Sequence, residues 1–415
     1  MNRHKKEVAP HAFRLSAALI AALLLLSILI LSLSSCDLLS ALPGEGGDVT
    51  TAATTTAAAR GPVATQNITV NQYYTPAPPP SEAGTYAYVA EVASPSVVSI
   101  VTEATSYDKY YGTYVESGAG SGVLFYADAT YTYIITNNHV VEGCTRVRVF
   151  TNDPNCEGYD AEVLGTDWTT DIAVCRIAKT GLTVATVGNS TELRLGQEVA
   201  AIGNPLGKLG GTVTDGIIGC LARSIAVEGV SMTLIQHSAG VSPGNSGGGL
   251  FNLYGQLIGI VNAKSSGTGV EDIGFAIPID LALDRAVQIV NRGYVSGTPY
   301  LGLAFSQTSQ YGPVVAEYYY NAELSALNQD TIAAGDILQK LGGVTVTDTA
   351  DLRAILCAVE IGDTLVAELL RPVRYGIGYT YKSYTVNIKV HEYVPEGVTP
   401  EEPSTSENTG DIDFN

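Results

Sequence analysis

Between residues 85 and 292 the chain is a succession of short β-prone runs, each cut off by Gly, Asn or Asp. Val97–Val101, Gly122–Tyr126, Tyr133–Thr136, Val147–Phe150, Ile172–Ile177, Glu198–Ile202 and Leu257–Asn262 are the clearest. Runs this short and this closely punctuated fit strands of a mainly β domain folded as a barrel. The stretch Asp280–Arg292 changes period. Leu281, Leu283, Ala286, Val287 and Val290 recur at helical spacing and predict a helix that closes this domain.

Within that pattern one turn carries chemistry. Gly240-Val241-Ser242-Pro243-Gly244-Asn245-Ser246-Gly247-Gly248-Gly249 places a serine on a glycine-crowded link between two apolar runs. A hydroxyl is a poor nucleophile at neutral pH, so Ser246 needs a base beside it and donors for the oxyanion it creates. The backbone amides around Gly244, Asn245 and Ser246 are the candidate oxyanion hole. Glycines on both sides let a substrate carbonyl approach the backbone.

His139 ends the apolar strand Tyr133-Ile134-Ile135-Thr136-Asn137-Asn138-His139. Of the five histidines, His4 and His11 lie in the N-terminal segment and His391 near the C-terminal end. His139 and His237 remain as candidate bases. His237, in Thr233-Leu234-Ile235-Gln236-His237-Ser238, also reads as a wall or surface residue. Asp171 sits at the mouth of the apolar run Ile172–Ile177. A carboxylate there is costly to bury without donors, and a histidine ring nitrogen would supply one while fixing the tautomer. Asp167 is the alternative acid, and Trp168 beside it reads as core.

The order His139, Asp171, Ser246, in Thr-Asn-Asn-His-Val-Val, Thr-Asp-Ile-Ala-Val and Gly-Asn-Ser-Gly-Gly, resembles the HtrA/DegP (Do-like) proteases. Ser94–Ile100, Gly120–Val123, Gly203–Gly207, Thr214–Ile218 and Gly274–Pro278 also match. The resemblance spans roughly residues 85–392. It implies a trypsin-like double β-barrel protease domain (85–295) followed by a small α/β PDZ domain (298–392). It also implies a serine endopeptidase with His139 as general base, Asp171 as its orienting partner and Ser246 as nucleophile. Two departures stand out. Gly249 replaces the family's proline after Gly-Asn-Ser-Gly-Gly, and Gln236-His237-Ser238-Ala239-Gly240-Val241-Ser242-Pro243 replaces Gln-Thr-Asp-Ala-Ala-Ile-Asn-Pro.

In trypsin-like folds the residue six before the nucleophile lies at the base of the specificity pocket, and here it is Gly240. No acid stands there, which argues against Lys or Arg selectivity. Val241, Ile260 and Val261 suggest an apolar pocket for small or medium aliphatic side chains. In the PDZ-like region, Tyr300-Leu301-Gly302-Leu303 resembles the loop that holds a ligand's terminal carboxylate. Ala334–Leu338 matches a family segment, and Asp351–Val359 is expected as the groove helix. Peptides add to such domains as an extra strand. The middle, Tyr318–Asp330, departs from the family.

Composition excludes some partners. The chain carries 22 Lys and Arg against 41 Asp and Glu, a formal charge of −19. Nucleic-acid binding is driven by Lys and Arg, so such a surface argues against it. The first residues are basic (Arg3, Lys5, Lys6, Arg14) and precede an apolar run from Leu15 to about Leu33. That run reads as a secretory signal or an uncleaved anchor. Leu33-Ser34-Ser35-Cys36 resembles a bacterial lipoprotein signal, with Cys36 as the lipidated residue. Either reading tethers the protein outside the cytoplasmic membrane. Residues 37–84, rich in Thr, Ala and Pro, form a linker without a core. The tail from Tyr393 onward carries six acids and no base and is expected to be disordered.

Five cysteines follow Cys36, namely Cys144, Cys156, Cys175, Cys220 and Cys357. The strand between Cys144 and Cys156 would hold them about 20 Å apart, too far for a disulfide. No metal-ligand spacing occurs and no cofactor is implied. The family reading implies unfolded or misfolded envelope proteins as substrates, peptide C-termini as PDZ ligands and a homotrimer. Two alternatives remain open. One is a DegS-like sensor that makes a single regulatory cut, and the other is a latent peptide-binding quality-control protein.

Overall fold

The structure, a computed structural model, describes residues 84–395 apart from 109–111, 154, 205–210, 243, 264–272, 319–331 and 376–377. The N-terminal signal or anchor, Cys36, the linker up to residue 83 and the acidic tail beyond 395 lie outside the described residues. So do Pro205–Gly207 and most of Tyr318–Asp330.

Helix α1 (Tyr86–Ala93) opens the described chain, capped by Thr85 Oγ1, which accepts from Tyr88 N at 3.1 Å. Six strands follow: β1 (Val97–Asp108), β2 (Gly112–Ala127), β3 (Thr132–Asn137), β4 (Arg146–Phe150), β5 (Tyr159–Asp167) and β6 (Ile172–Ile177). They close into a barrel in the order β1-β2-β3-β6-β5-β4. A second set comprises β7 (Thr186–Val187), β8 (Glu198–Gly203), β9 (Thr212–Val227), β10 (Val230–His237), β11 (Gly249–Asn252), β12 (Gln256–Val261) and β13 (Gly274–Pro278). Here β11-β8-β9-β10-β13-β12 returns to β11, making a second ring, with β7 added on β12. This is the double β-barrel expected from the sequence. The β1–β2 hairpin is longer than its apolar runs, because paired Thr, Ser, Glu and Tyr residues continue the ladder out to Asp108↔Gly112.

Side-chain alternation explains where the cores lie. In β1, Val98 and Ile100 fill the first barrel with Leu124, Ile134, Val149 and Cys175. Their neighbours Val97, Val123, Ile135, Ile172 and Val174 point the other way. They join Ala200, Ile202, Phe251, Ile260 and Ile277 of the second barrel in one continuous cluster. Strands at this seam are buried on both faces, as β3 is along its whole length. Helix α2 is a single turn at Asn138–Val141. Helix α3 (Ile279–Arg292) buries Ala282, Leu283, Ala286 and Ile289 in the seam cluster and ends at Gly293 with φ 84°. It matches the helix expected over Asp280–Arg292.

The C-terminal region builds its own core. Strands β14 (Pro299–Tyr300), β15 (Leu303–Ser309), β16 (Gly312–Tyr318), β17 (Ile337–Leu341), β18 (Val344–Thr345), β19 (Thr364–Tyr375), β20 (Gly378–Lys389) and β21 (His391–Glu392) are joined by helix α4 (Thr349–Leu356). The main sheet runs β15-β16-β17-β19-β20, with β18 on β17, and β14 pairs with β21. Leu301, Leu303, Val315, Leu338, Leu352, Leu356, Leu369 and Ile388 pack beneath it. Helix α4 begins two residues earlier than the expected Asp351–Val359 and ends three earlier. Asp348 sets the start, because its side chain accepts from Ala350 N and Asp351 N.

Candidate active site

The register of β3 and β6 brings the first two candidate residues together. Asn137 pairs with Ile172 at the end of the ladder, so the next residues of each strand meet just beyond it. There Asp171 Oδ2 lies 2.7 Å from His139 Nδ1 and Asp171 Oδ1 accepts from His139 N at 2.9 Å. One carboxylate therefore holds this histidine by both its ring and its main chain. The Asp171 carbonyl accepts from Asn138 N (3.0 Å) and Asn137 Nδ2 (3.1 Å). Asp171 itself has φ 56°, a left-handed conformation uncommon outside glycine. With 7% exposure, its charge depends on these donors.

Asp167 is not the partner of His139. It is wholly buried and organises the turn that delivers Asp171. Its Oδ1 accepts from Thr169 N (3.0 Å) and Thr169 Oγ1 (2.6 Å), and its Oδ2 from Thr170 Oγ1 (2.6 Å). Arg285 Nε of α3 lies 3.7 Å from the same carboxylate. Trp168 is half-buried and packs against both the seam cluster and the C-terminal core.

Ser246 sits in the link between β10 and β11, 7% exposed. Its carbonyl accepts from Ser121 N at 2.8 Å, and Gly247 N donates to Val261 O at 2.9 Å. Gly247 has φ 82°, and a Cβ there would run into the Ser121 carbonyl and Thr136 Oγ1. Only glycine fits, and its fit seats Ser246 beside the end of β3. The side chain of Ser121 adds a second clamp. It donates to Gly244 O at 2.6 Å while accepting from Asn204 N at 2.8 Å.

Asn245 N is engaged by Ser242 O at 3.0 Å, so it is not free to serve an oxyanion. Among the described residues the amides of Gly244 and Ser246 carry no such bond, which leaves these two of the three expected donors. Ser246 Oγ accepts from Ala263 N at 3.3 Å. No hydrogen bond closes from His139 to Ser246 among the described residues.

Asn262, which sequence reasoning missed, ties the two halves together. Its Nδ2 donates to Asp171 Oδ2 at 2.9 Å, and the next residue, Ala263, reaches Ser246. The only sequence signal was a polar residue ending the apolar run Leu257–Val261.

Gly240 is exposed and Val241 half-buried, and Thr214 Oγ1 fixes the Gly240 carbonyl at 2.8 Å. Ile260 and Val261 are wholly buried, one in the seam and one inside the second barrel. Their side chains offer no surface to a substrate, so only Gly240 and Val241 of the four expected pocket residues reach the opening. His237, the other candidate base, is a wall residue at 1% exposure, packed against Gly274 and Val241. Burial pushes its pKa down to about 4. The backbone of Phe275 and Ala239 favours the charged form slightly, but neither ring nitrogen completes a hydrogen bond. In the C-terminal region Leu301 and Leu303 are core residues, Gly302 has φ 72°, and Tyr300 pairs with His391.

Residues 120–260 match the model of the trypsin-like peptidase domain. The chain is 38% identical over 352 residues to the serine protease Do-like HtrB of Bacillus subtilis, covering 77% of this chain and 74% of that protein. The chain belongs to the Do-like (HtrA/DegP) serine proteases. A second relative, the serine protease Do-like HtrA of Bacillus subtilis, is 35% identical over 313 residues, covering 68% of this chain and 69% of that one. A solved structure of the HtrA-type protease AlgW with a decapeptide aligns at 28% identity and a TM-score of 0.46, covering 75% of this chain and 99% of that one. This Do-like protease is a serine endopeptidase, and the expected family, fold class and enzyme type all stand.

Proposed function

We propose that Ser246, His139 and Asp171 carry peptide-bond hydrolysis in this Do-like protease. Ser246 Oγ attacks the substrate carbonyl and His139 Nε2 takes its proton. Asp171 keeps the proton on Nδ1 and stabilises the imidazolium. The Gly244 and Ser246 amides hold the oxyanion. His139 then protonates the leaving amine, and water hydrolyses the acyl-enzyme by the reverse sequence. The observation that carries this reading is the Asp171 carboxylate bonded at once to His139 N, His139 Nδ1 and Asn262 Nδ2. The test is degradation of reduced casein by the full chain beside Ser246→Ala. Loss of casein with the parent alone is expected, and equal loss with both would refute the assignment of Ser246.

The pocket beside Gly240 and Val241 takes small or medium aliphatic side chains. The substrates are unfolded or misfolded proteins on the outer face of the cytoplasmic membrane. The N-terminal segment tethers the enzyme there, through Cys36 lipid or as a single span. The C-terminal region is a PDZ domain that binds peptide C-termini through the Tyr300–Leu303 loop, and the assembly is a homotrimer, as is expected of the family.

A second reading, a sensor protease with a narrow target, draws support from one side chain and its two contacts. Arg353 of α4 donates to Glu142 (2.5 Å), just after the His139 turn, and to Glu228 (2.9 Å) on the β9–β10 hairpin. A peptide bound beside α4 would act on the His139 turn through that bridge. One discrete cut in one partner, with casein left intact, distinguishes this reading.

A further inference from the structure

Strands β19 and β20 pair from Thr364↔Lys389 to Tyr375↔Gly378. Only Ala367–Leu370 of β19 find a second partner, in β17. Beyond them the two strands leave the sheet as a ribbon. Residues 373–375 and 378–383 are exposed on both faces. Tyr375 is 79% and Tyr379 69% exposed, and Val373 and Tyr381 are exposed as well. A two-stranded ribbon has little stability of its own in water.

The root of the ribbon is nonetheless fixed. Arg371 donates through Nε (2.8 Å) and Nη2 (2.6 Å) to buried Asp336, which also accepts from Tyr384 OH (2.6 Å). Tyr311 stacks edge-on against Tyr381 at 5.0 Å. The exposed part is therefore held out from the sheet on an anchored base.

Its charge is opposite to that of the rest of the chain. Between Glu368 and Glu392 there is no acid, while Arg371, Arg374, Lys382 and Lys389 are basic, in a protein of formal charge −19. Arg374 stands directly across from Tyr379. On one face of the ribbon lie Val373, Tyr375 and Lys382, and on the other Arg374, Tyr379 and Tyr381. Both faces thus combine bases with apolar or aromatic groups. A rigid protein groove covers one face of a ribbon, whereas a headgroup layer surrounds both. Tyrosine rings favour the depth where apolar and polar layers meet, and Lys and Arg gain from an anionic leaflet.

We infer that the β19–β20 ribbon, through Val373, Arg374, Tyr375, Tyr379, Tyr381 and Lys382, is a docking element for an anionic lipid surface. It goes beyond the N-terminal tether, because it would hold the C-terminal region against the bilayer whether or not residues 1–36 are retained.

The test is hydrogen exchange of the full chain in nanodiscs of phosphatidylglycerol and of phosphatidylcholine. The tether is present in both discs, so its failure would not imitate failure of the ribbon. Amides of residues 373–375 and 378–383 are expected to exchange about tenfold more slowly in the anionic discs. Arg374→Glu with Lys382→Glu is expected to abolish that difference, and so is high salt. Exchange at Ile337–Leu341 serves as the check that the doubly substituted chain stays folded. Equal exchange in both discs would overturn the inference. So would protection that survives charge reversal. Protection that is equal in both discs and vanishes on truncation after Val394 would overturn it in favour of the chain's own acidic tail.

Discussion

Ser121→Ala removes one oxygen and leaves the rest of its residue in place. The main-chain bonds of Ser121 to Ser246 O (2.8 Å) and from Thr136 Oγ1 (2.7 Å) persist. What is lost is the clamp on Gly244 O and the acceptor for Asn204 N. Ser121 and Asn204 are buried and Gly244 is half-buried, so the Asn204 amide is stranded away from water and the Gly244 carbonyl partly so. Each stranded group costs about 1–3 kcal/mol, which puts the loss of stability at about 2–6 kcal/mol, nearer the low end if water enters. The kinetic effect comes from Gly244, whose φ of 100° is a conformation that glycine leaves easily. Once its carbonyl is released, the residue can rotate and take its N–H away from the oxyanion. A lost oxyanion donor costs about 10²–10³ in kcat, and partial misplacement about tenfold to a hundredfold. A fluorogenic peptide gives kcat and KM, and a fluorophosphonate gives the acylation rate of Ser246 separately. A fall in kcat and acylation at unchanged KM is expected, with partial recovery in Ser121→Thr. Lower stability with unchanged kcat would refute the reasoning and reduce Ser121 to a brace between the barrels.

Two further outcomes follow from buried and bridging charges. His237 has a folded-state pKa of about 4 against about 6.5 when unfolded. Its neutral form costs nothing above pH 6.5. As pH falls from 6.5 towards 4 the unfolded chain gains a proton that the folded chain refuses, and stability drops by about 3 kcal/mol by pH 4. Urea titrations should show that extra acid loss in the parent and not in His237→Leu, and identical acid limbs would disprove it. Arg353→Ala should cost about 1 kcal/mol, because Glu142 and Glu228 are substantially exposed. Faster hydrogen exchange should then appear in α4 and at the β9–β10 tip together, and exchange unchanged at both would show that the bridge carries no energy.

The candidate triad was legible because each member punctuates an apolar run. His139 lies just past the end of β3 and Asp171 just before the start of its partner β6, and Ser246 lies on a link that only glycines can turn. The order and spacing of those interruptions survive in a linear reading. The clamps did not, because they join segments far apart in the chain. Ser121 reaches Gly244 across 123 positions and Asn262 reaches Asp171 across 91. A serine in a Gly-Ser-Gly stretch and an asparagine at a strand end carry no mark of such partners. Ile260 and Val261 misled for a related reason. Successive strand residues point to opposite faces, and ordinarily one of the two would reach a cleft. At the seam both faces are covered, one by the barrel's own interior and one by the other barrel.

That seam also explains why the site can be precise while standing on short links. The candidate acid and base belong to the first barrel, and the nucleophile to the second. Neither barrel alone holds a complete arrangement. Hydrogen bonds and close packing cross between them. Ser121 of β2 holds Ser246 O and Gly244 O, Asn262 beyond β12 holds Asp171, and Gly247 packs against the end of β3. These bonds are polar, short and directional, and they sit on an apolar cluster that gathers residues from both barrels and from α3. The cluster supplies the affinity of barrel for barrel and the bonds supply the register. A seam loosened without unfolding either barrel would keep every strand and every candidate residue and still lose the alignment of Ser246 with His139. The same geometry makes the seam the natural place for control. Glu142, one turn past His139, is bonded to Arg353 of the C-terminal region, and Arg353 also bonds Glu228 on the β9–β10 hairpin, so a pull on α4 reaches both barrels at once.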